Sequence, residues 1–239
     1  MKLDILAIAA HPDDVELGCS GTLMVHAAQG MKVGVADLTE GELGTRGTAD
    51  TRREEAAEAA RVMGLAVREN IGLPDGFFRN DREHQLAVIR MIRKYRPDII
   101  LANATEDRHP DHGRAARLIT DSCFLSGLIK VETSLDGQPQ EAWRPKQVFH
   151  FIQDRYLSPD FIVDISTVMP RKEEAIRCFK TQFLVKQDET LQTYISSPVF
   201  FESVVNRAKM LGKMIGVAYG EGFTTPGTPG IRSFRDLIV

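Results

Sequence analysis

Two short clusters of histidine and aspartate lie far apart in this sequence. The first is His11-Pro12-Asp13-Asp14 and the second is His109-Pro110-Asp111-His112. Imidazole nitrogens and carboxylate oxygens suit Zn²⁺, and a catalytic zinc site combines three protein ligands with one position left open for water. The two clusters therefore predict a metal site, provided that the fold brings them together.

Two histidines and one carboxylate supply the three ligands, and we assign them to His11, Asp14 and His112. Adjacent residues on a turn project in different directions, so we expect Asp13 to act as a general base rather than as a ligand. The same donors suit Fe²⁺ as well as Zn²⁺, and the sequence does not choose between the two metals.

Helix capping is the simpler interpretation of the same aspartates. Asp13 or Asp14 could cap the helix that follows the first cluster, and Asp111 could cap the helix after the second. Both clusters, however, follow predicted strands, and this joint placement favours the metal site. The remaining histidines are His26, His84 and His150. They lie in helix or strand patterns without polar neighbours, so we interpret them as exposed or internally hydrogen-bonded.

Apolar runs alternate with amphipathic stretches along the chain. Strands are predicted at residues 5–10, 32–38, 98–102, 147–151 and 161–164. Helices are predicted at residues 17–29, 51–63, 86–95, 114–124, 169–179 and 199–214. This order predicts a Rossmann-like α/β fold, a mostly parallel sheet with helices on both faces, in one domain over residues 1–239. The segment from residue 220 onward is rich in Gly, Pro and Thr, and we expect it to form a loop.

The predicted sheet explains how the two clusters could meet. In such sheets, ligands bind outside the carboxyl ends of the strands. The first cluster directly follows the strand at 5–10, and the second lies a few residues past the strand at 98–102. A dinucleotide cofactor is not expected, because the first turn has Gly18 and Gly21 but neither the glycine fingerprint nor a Walker lysine.

Composition indicates which binding partners and which cellular compartment to expect. The formal charge of −3 excludes a generally basic surface, so we expect no nucleic-acid partner. No apolar run is long enough to span a bilayer, and Asp4 interrupts the N-terminal run, which argues against a signal peptide. Cys19, Cys123 and Cys178 are odd in number and widely spaced, so we expect reduced thiols in a cytoplasmic protein without a membrane partner.

At these motifs the sequence resembles a known family. The first cluster with Gly18 and Gly21, and the second cluster, are similar to the two signatures of LmbE-like (PIG-L) zinc-dependent deacetylases. The segment 51–55 resembles the family's Arg-x-x-Glu helix, although Ser20-Gly21 stands where many relatives carry two glycines. Segments 102–108, 178–182, 220–223 and 231–237 are similar to the bacillithiol-pathway branch, whose enzymes deacetylate N-acetylglucosaminyl malate.

The resemblance implies further roles. His109 matches the residue that supports the oxyanion or protonates the leaving amine, and Asp111 matches one that orients a histidine. Arg52 and Arg108 match positions that contact the substrate, and Tyr194 matches a mobile tyrosine at the site mouth. The zinc ligands and the base of the family match the residues already assigned above.

The expected activity is hydrolysis of the N-acetyl group of N-acetylglucosaminyl malate. The substrate would be a small anionic glucosaminide, and arginine suits its malate carboxylates because the guanidinium binds them in a bidentate manner. We interpret the nearby Arg46 and Arg53 as solvated surface charges. Alternatives are a deacetylase for another N-acetyl sugar or thiol conjugate, and a non-catalytic carbohydrate-binding protein with a structural zinc. The resemblance also implies a homo-oligomer, a hexamer in this branch.

Overall fold

A computed structural model describes residues 1–183 and 192–238 and contains a seven-stranded sheet. Its strands are β1 (Ile5–Ala9), β2 (Val33–Asp37), β3 (Val67–Asn70), β4 (Ile99–Ala102), β7 (Gln147–Phe151), β8 (Phe161–Asp164) and β9 (Gly220–Thr224), with a small hairpin of β5 (Ser134–Leu135) and β6 (Gln138–Pro139) apart from it. The order across the sheet is β3-β2-β1-β4-β7-β9-β8. The first five of these are parallel, and β9 runs antiparallel to both of its neighbours. The predicted Rossmann-like, mostly parallel sheet is confirmed.

Eight α-helices lie in the described residues. They are α1 (Asp14–Gly18), α2 (Ser20–Ala28), α3 (Ala49–Met63), α4 (Arg82–Tyr95), α5 (Pro110–Ser126), α6 (Met169–Arg177), α7 (Lys180–Phe183) and α8 (Pro198–Ile215). Short 3₁₀ turns cover Tyr194–Ser196 and Phe234–Leu237. No described helix is both long and apolar enough to cross a membrane.

Strand β1 forms the centre of the fold because all five of its side chains are buried. Alternate residues of a strand face opposite sides of the sheet. Leu6 and Ile8 belong to one apolar cluster, which includes residues of α4 and α5, whereas Ile5, Ala7 and Ala9 belong to the other, with residues of α2 and α6. Because β1 is buried on both faces, it rigidly positions the first cluster, which follows its carboxyl end.

Two local predictions need correction, and one strand was missed. The loop expected from residue 220 begins instead with the strand β9, whose Gly220 packs so closely that a Cβ would lie 2.5 Å from Ile162 Cγ2. Strand β3 was missed because Arg68 and Glu69 interrupt its apolar pattern at the sheet edge. The helix predicted at 17–29 is two helices that meet at Cys19, which lies outside helical geometry with φ −146°.

Candidate metal centre

The carboxyl ends of three neighbouring strands build the site. His11 to Asp14 follow β1, Asn103 follows β4, and Gln153 lies just past β7. The Asp14 carboxylate accepts hydrogen bonds from the backbone N–H of His11 at 3.0 Å, from Asn103 Nδ2 at 3.1 Å and from Gln153 Nε2 at 2.7 Å. The strand order therefore fixes the position of Asp14 from three directions.

The three predicted metal ligands lie together at this point. His112 Nε2 is 3.0 Å from Asp14 Oδ1, and His11 Nδ1 is 3.5 Å from Asp14 Oδ2. His109 adds a third imidazole, with its ring centroid 4.8 Å from that of His11 and 5.2 Å from that of His112. Ligand nitrogens of the three histidines lie within 4.8 Å of one another.

Each predicted ligand histidine has a second carboxylate on its other nitrogen. His112 Nδ1 lies 2.6 Å from Asp107 Oδ2, and His11 Nε2 lies 2.9 Å from Asp75 Oδ1 and 3.4 Å from Asp111 Oδ2. Metal-binding histidines commonly carry such a carboxylate partner, which fixes the tautomer and directs the other nitrogen at the ion. The donor set and its supports fit a divalent cation.

The charges of these groups are strongly coupled. Burial disfavours the charged forms, but the opposite charges outweigh it, so the pKa of Asp14 is held well below its usual range by His112 and His11. In the same way burial lowers the pKa of His112, but Asp14 and Asp107 raise it to about 9. The carboxylates are stabilised by nearby positive charge. Protonated imidazoles provide that charge here, and a divalent cation bound between the same groups would provide more of it.

Asp13 occupies a strained position beside the ligands. Its φ of 114° lies in a region that side-chain-bearing residues seldom adopt, and its side chain makes no capping hydrogen bond to α1. Asp13 Oδ2 lies 3.3 Å from Arg52 Nη2, which also donates to the carbonyl of Pro12. Burial raises the pKa of Asp13 to about 7, against the opposing charge of Arg52. The capping interpretation is wrong for Asp13, while a pKa near neutrality suits a general base.

The helix after the second cluster is capped by His109 and not by Asp111. His109 caps α5 itself, because its Nδ1 accepts from the backbone N–H of Asp111 at 3.3 Å. The Asp111 carboxylate instead contacts His11 Nε2, and it accepts from Arg114 at 2.7 Å and from the backbone N–H of Gly76 at 3.0 Å. Burial, together with the nearby charges of His11 and His112, lowers the pKa of His109. Asp111 therefore lies where it can orient His11.

These residues open into a cleft of about 430 Å³. Arg52, Arg108 and Tyr194 all line it, as do His11, Asp13 and His112. Arg108 Nε lies 2.9 Å from Asp154 Oδ2, and the Arg108 guanidinium stacks on the ring of Tyr194 at 4.3 Å. The Tyr194 hydroxyl donates to Asp154 Oδ1 at 3.1 Å. The predicted substrate-contact residues thus surround one cleft.

The histidines, the arginine and the cysteines that were not assigned to the site lie apart from the ligand cluster or have local partners. His26 Nδ1 is 2.7 Å from Thr22 O, His84 contacts Asp81, and His150 Nδ1 is 2.7 Å from Asn103 O. Arg53 is exposed and paired with Glu40 and Asp50. The cysteines, which are Cys19, Cys123 and Cys178, are free and buried.

Sequence reasoning missed several cleft and supporting residues, namely Asp75, Asp107, Asn103, Gln153, Asp154 and Arg207. Asn103 had a usable signal, because it is a polar residue immediately after a predicted strand. Asp107 lies inside the segment that resembles the bacillithiol branch, but nothing local marks it as a partner of His112.

Comparisons with known proteins indicate the family. The family model described as PIG-L, GlcNAc-PI de-N-acetylase, matches residues 6–123, which include both clusters. The crystal structure of the conserved protein TT1542 from Thermus thermophilus is 35% identical, covers 96% of this chain and 97% of its own, and superposes with a TM-score of 0.85. The chain belongs to the PIG-L family of deacetylases.

Other relatives of this chain differ in chemistry. The diacetylchitobiose deacetylase of Thermococcus kodakarensis is 28% identical over 91% of this chain and 81% of its own length. The 4-oxalmesaconate hydratase of Pseudomonas putida is 27% identical over 74% of this chain and 73% of its own. The PIG-L fold therefore supports more than one reaction, and the substrate must be argued from the site.

Proposed function

We propose that this PIG-L deacetylase hydrolyses the N-acetyl group of N-acetylglucosaminyl malate, giving glucosaminyl malate and acetate for bacillithiol biosynthesis. The observation that carries the proposal is the convergence of His11, Asp14 and His112 beside the buried carboxylate of Asp13, at the base of an open cleft. Three ligands and an adjacent base are what metal-assisted amide hydrolysis requires.

Zinc is the proposed metal, with Fe²⁺ as the alternative. His11, Asp14 and His112 would hold it, with Asp75 and Asp107 supporting the two imidazoles. A bound zinc ion polarises an acetyl carbonyl and lowers the pKa of water to about 7 in favourable sites. A structural zinc is normally closed by four protein ligands, so the three proposed here favour catalysis over a purely structural role.

Asp13 and His109 would move the protons. Asp13, held against Arg52, takes a proton from the attacking water, and such general-base help is typically worth roughly 10²–10⁴-fold. His109 lies beside the ligand histidines, where it can donate to the developing oxyanion or to the leaving nitrogen. Loss of one oxyanion donor typically costs about 10²–10³ in kcat.

The cleft supports a small glucosaminide as the substrate. Its volume of about 430 Å³ falls in the usual range for small-molecule sites. In this proposal Arg108 contacts the substrate, while Arg52 lines the cleft beside its partner Asp13. Tyr194, which is 55% exposed, would lie at the mouth. Three arginines line the cleft, two of them paired with Asp13 and Asp154, and a guanidinium suits the carboxylate of a small anionic conjugate.

The alternative is a deacetylase for another N-acetyl sugar or thiol conjugate, which the similarity to the diacetylchitobiose deacetylase favours. We further propose a cytoplasmic homo-oligomer, a hexamer by family resemblance. Metal analysis joined to an acetate-release assay tests the proposal, with N-acetylglucosaminyl malate, diacetylchitobiose and N-acetylglucosamine compared with and without a chelator. Chelator-sensitive acetate release that is fastest on the malate conjugate is expected. Faster release from diacetylchitobiose, or none from any substrate, would overturn it.

A further inference from the structure

Helix α8 contributes one wall of the cleft. Phe200 and Arg207 both line the cleft and are seven residues apart, so they lie on the same face of the helix. Phe200 is buried, and Arg207 is partly buried beside the end of α1. Arg207 Nη2 donates to the carbonyl of Leu17 at 3.4 Å. This long contact uses one of the five N–H donors of the guanidinium.

The three cleft arginines differ in how their charge is balanced. Arg52 is paired with Asp13 at 3.3 Å, and Arg108 is paired with Asp154 at 2.9 Å. Within residues 1–183 and 192–238, Arg207 makes no ion pair, and its one side-chain hydrogen bond is to a neutral carbonyl. Arg207 therefore has positive charge and free donors available for a ligand.

Another buried arginine shows how carboxylates can fully balance a buried positive charge. Arg68 has Glu16 at 2.5 Å and Asp37 at 2.8 Å. Although burial lowers the pKa of Arg68, those two carboxylates outweigh burial and raise it above the usual value. For Arg207, burial lowers the pKa and the more distant Asp154 and Asp107 do not restore it. A carboxylate brought into the cleft would supply the missing partner.

We propose that Arg207 is the specificity-determining anchor for a substrate carboxylate in this cleft. The inference rests on the proposed function, and it assigns the anionic group of the substrate to the α8 wall. Carboxylate binding by a guanidinium is bidentate and charge-assisted, which makes it stronger than a neutral hydrogen bond. A cation near the last carbonyls of α1 could instead serve stability alone, and the experiment must separate the two roles.

The test compares Arg207→Gln with Lys209→Gln. Lys209 is exposed on the same helix, two residues further along and so on a different face, and its variant controls for the loss of one positive charge. We expect Arg207→Gln to lower kcat/KM for N-acetylglucosaminyl malate by about 10- to 100-fold and to change that for neutral N-acetylglucosamine by less than about threefold. Lys209→Gln should resemble wild type on both. Arg207→Lys should recover part of the preference, because the charge remains but the planar fork is lost.

Malate binding, measured by calorimetry on the metal-loaded protein, separates this inference from the deacetylase proposal. We expect Arg207→Gln to weaken malate binding at least about tenfold relative to wild type and to Lys209→Gln. Failure of wild type to release acetate would overturn the activity, and the malate affinities would still test Arg207. Equal malate affinity in all three proteins, no binding to wild type, or equal kinetic losses on both substrates would overturn the anchor.

Discussion

His112 is held by Asp107, since its Nδ1 lies 2.6 Å from Asp107 Oδ2 on the edge of the ring that faces away from Asp14. Asp107 also accepts the backbone N–H of Arg155 at 2.7 Å, so it joins the loop after β4 to the loop after β7. The orientation of a proposed ligand thus depends on a carboxylate that would not touch the metal.

Asp107→Asn tests this support. We expect metal affinity to fall by about 10- to 100-fold, because the amide keeps the shape but cannot stabilise the imidazole as a carboxylate does. Competition with a chelator of known affinity measures the change. Glu106→Gln is the control, because Glu106 is an exposed neighbour. An unchanged affinity in Asp107→Asn would contradict the supporting role.

Asp13→Ala separates the base from the ligands. We expect the variant to retain its metal and to lose turnover by roughly 10²–10⁴-fold, because Asp13 would accept the proton of the attacking water. His112→Ala is the matched comparison and should lose the metal itself. Metal analysis and acetate release are measured on both. Near-normal turnover in metal-loaded Asp13→Ala would remove the base assignment, and one tightly bound metal in His112→Ala would disprove the ligand set.

Arg52→Ala should act through Asp13. Because Arg52 Nη2 lies 3.3 Å from Asp13 Oδ2, its removal leaves the base without its nearest cation. We expect kcat to fall about 10- to 100-fold on neutral and anionic substrates alike, because this is the typical effect of losing a hydrogen bond to a charged group. Steady-state kinetics on both substrates measure this. A rise in KM for the anionic substrate, with kcat unchanged, would instead assign Arg52 to a substrate carboxylate.

A buried ion pair behind the site should matter for stability. Lys172 Nζ lies 2.7 Å from Glu221 Oε1, and Glu221 also accepts from the backbone N–H groups of Gly21 and Thr22 at the start of α2. Removing one member of a buried pair typically costs about 3–5 kcal/mol, so Lys172→Met should lower the free energy of unfolding by that amount. Urea denaturation measures it, with exposed Lys180→Met as control. A loss below about 1 kcal/mol would contradict the expectation.

The sequence was sufficient to predict the centre of the fold and the convergence of its two histidine clusters. Strand β1 is a continuous apolar run, and the first cluster follows it without a gap, so parallel pairing with β4 was enough to bring the second cluster near. Gly18 was noted only as a motif residue. A long-range contact explains why glycine is needed at this position, because a Cβ there would lie 2.2 Å from the ring of Phe151 on β7.

The residues that escaped prediction come from loops and from the far end of the chain. Asp75 and Asp154 reach the cleft from segments without periodic pattern, and Arg207 lies on a helix whose register against the sheet is set by tertiary packing. Strand β9 carries Glu221 to α2 across 200 residues of sequence from Gly21. Local pattern cannot encode contacts of that separation, whereas it does encode strands, caps and the residues beside them.

The donors that hold Asp14 belong to the protein itself, namely the backbone N–H of His11 and the amides of Asn103 and Gln153. The proposed coordination cage would therefore be assembled by strand pairing without an ion, unlike a zinc finger, which is unfolded when empty. Removing the ion should leave a folded apoprotein that can be reloaded. In that case the identity of the bound metal would depend on which suitable cation is supplied.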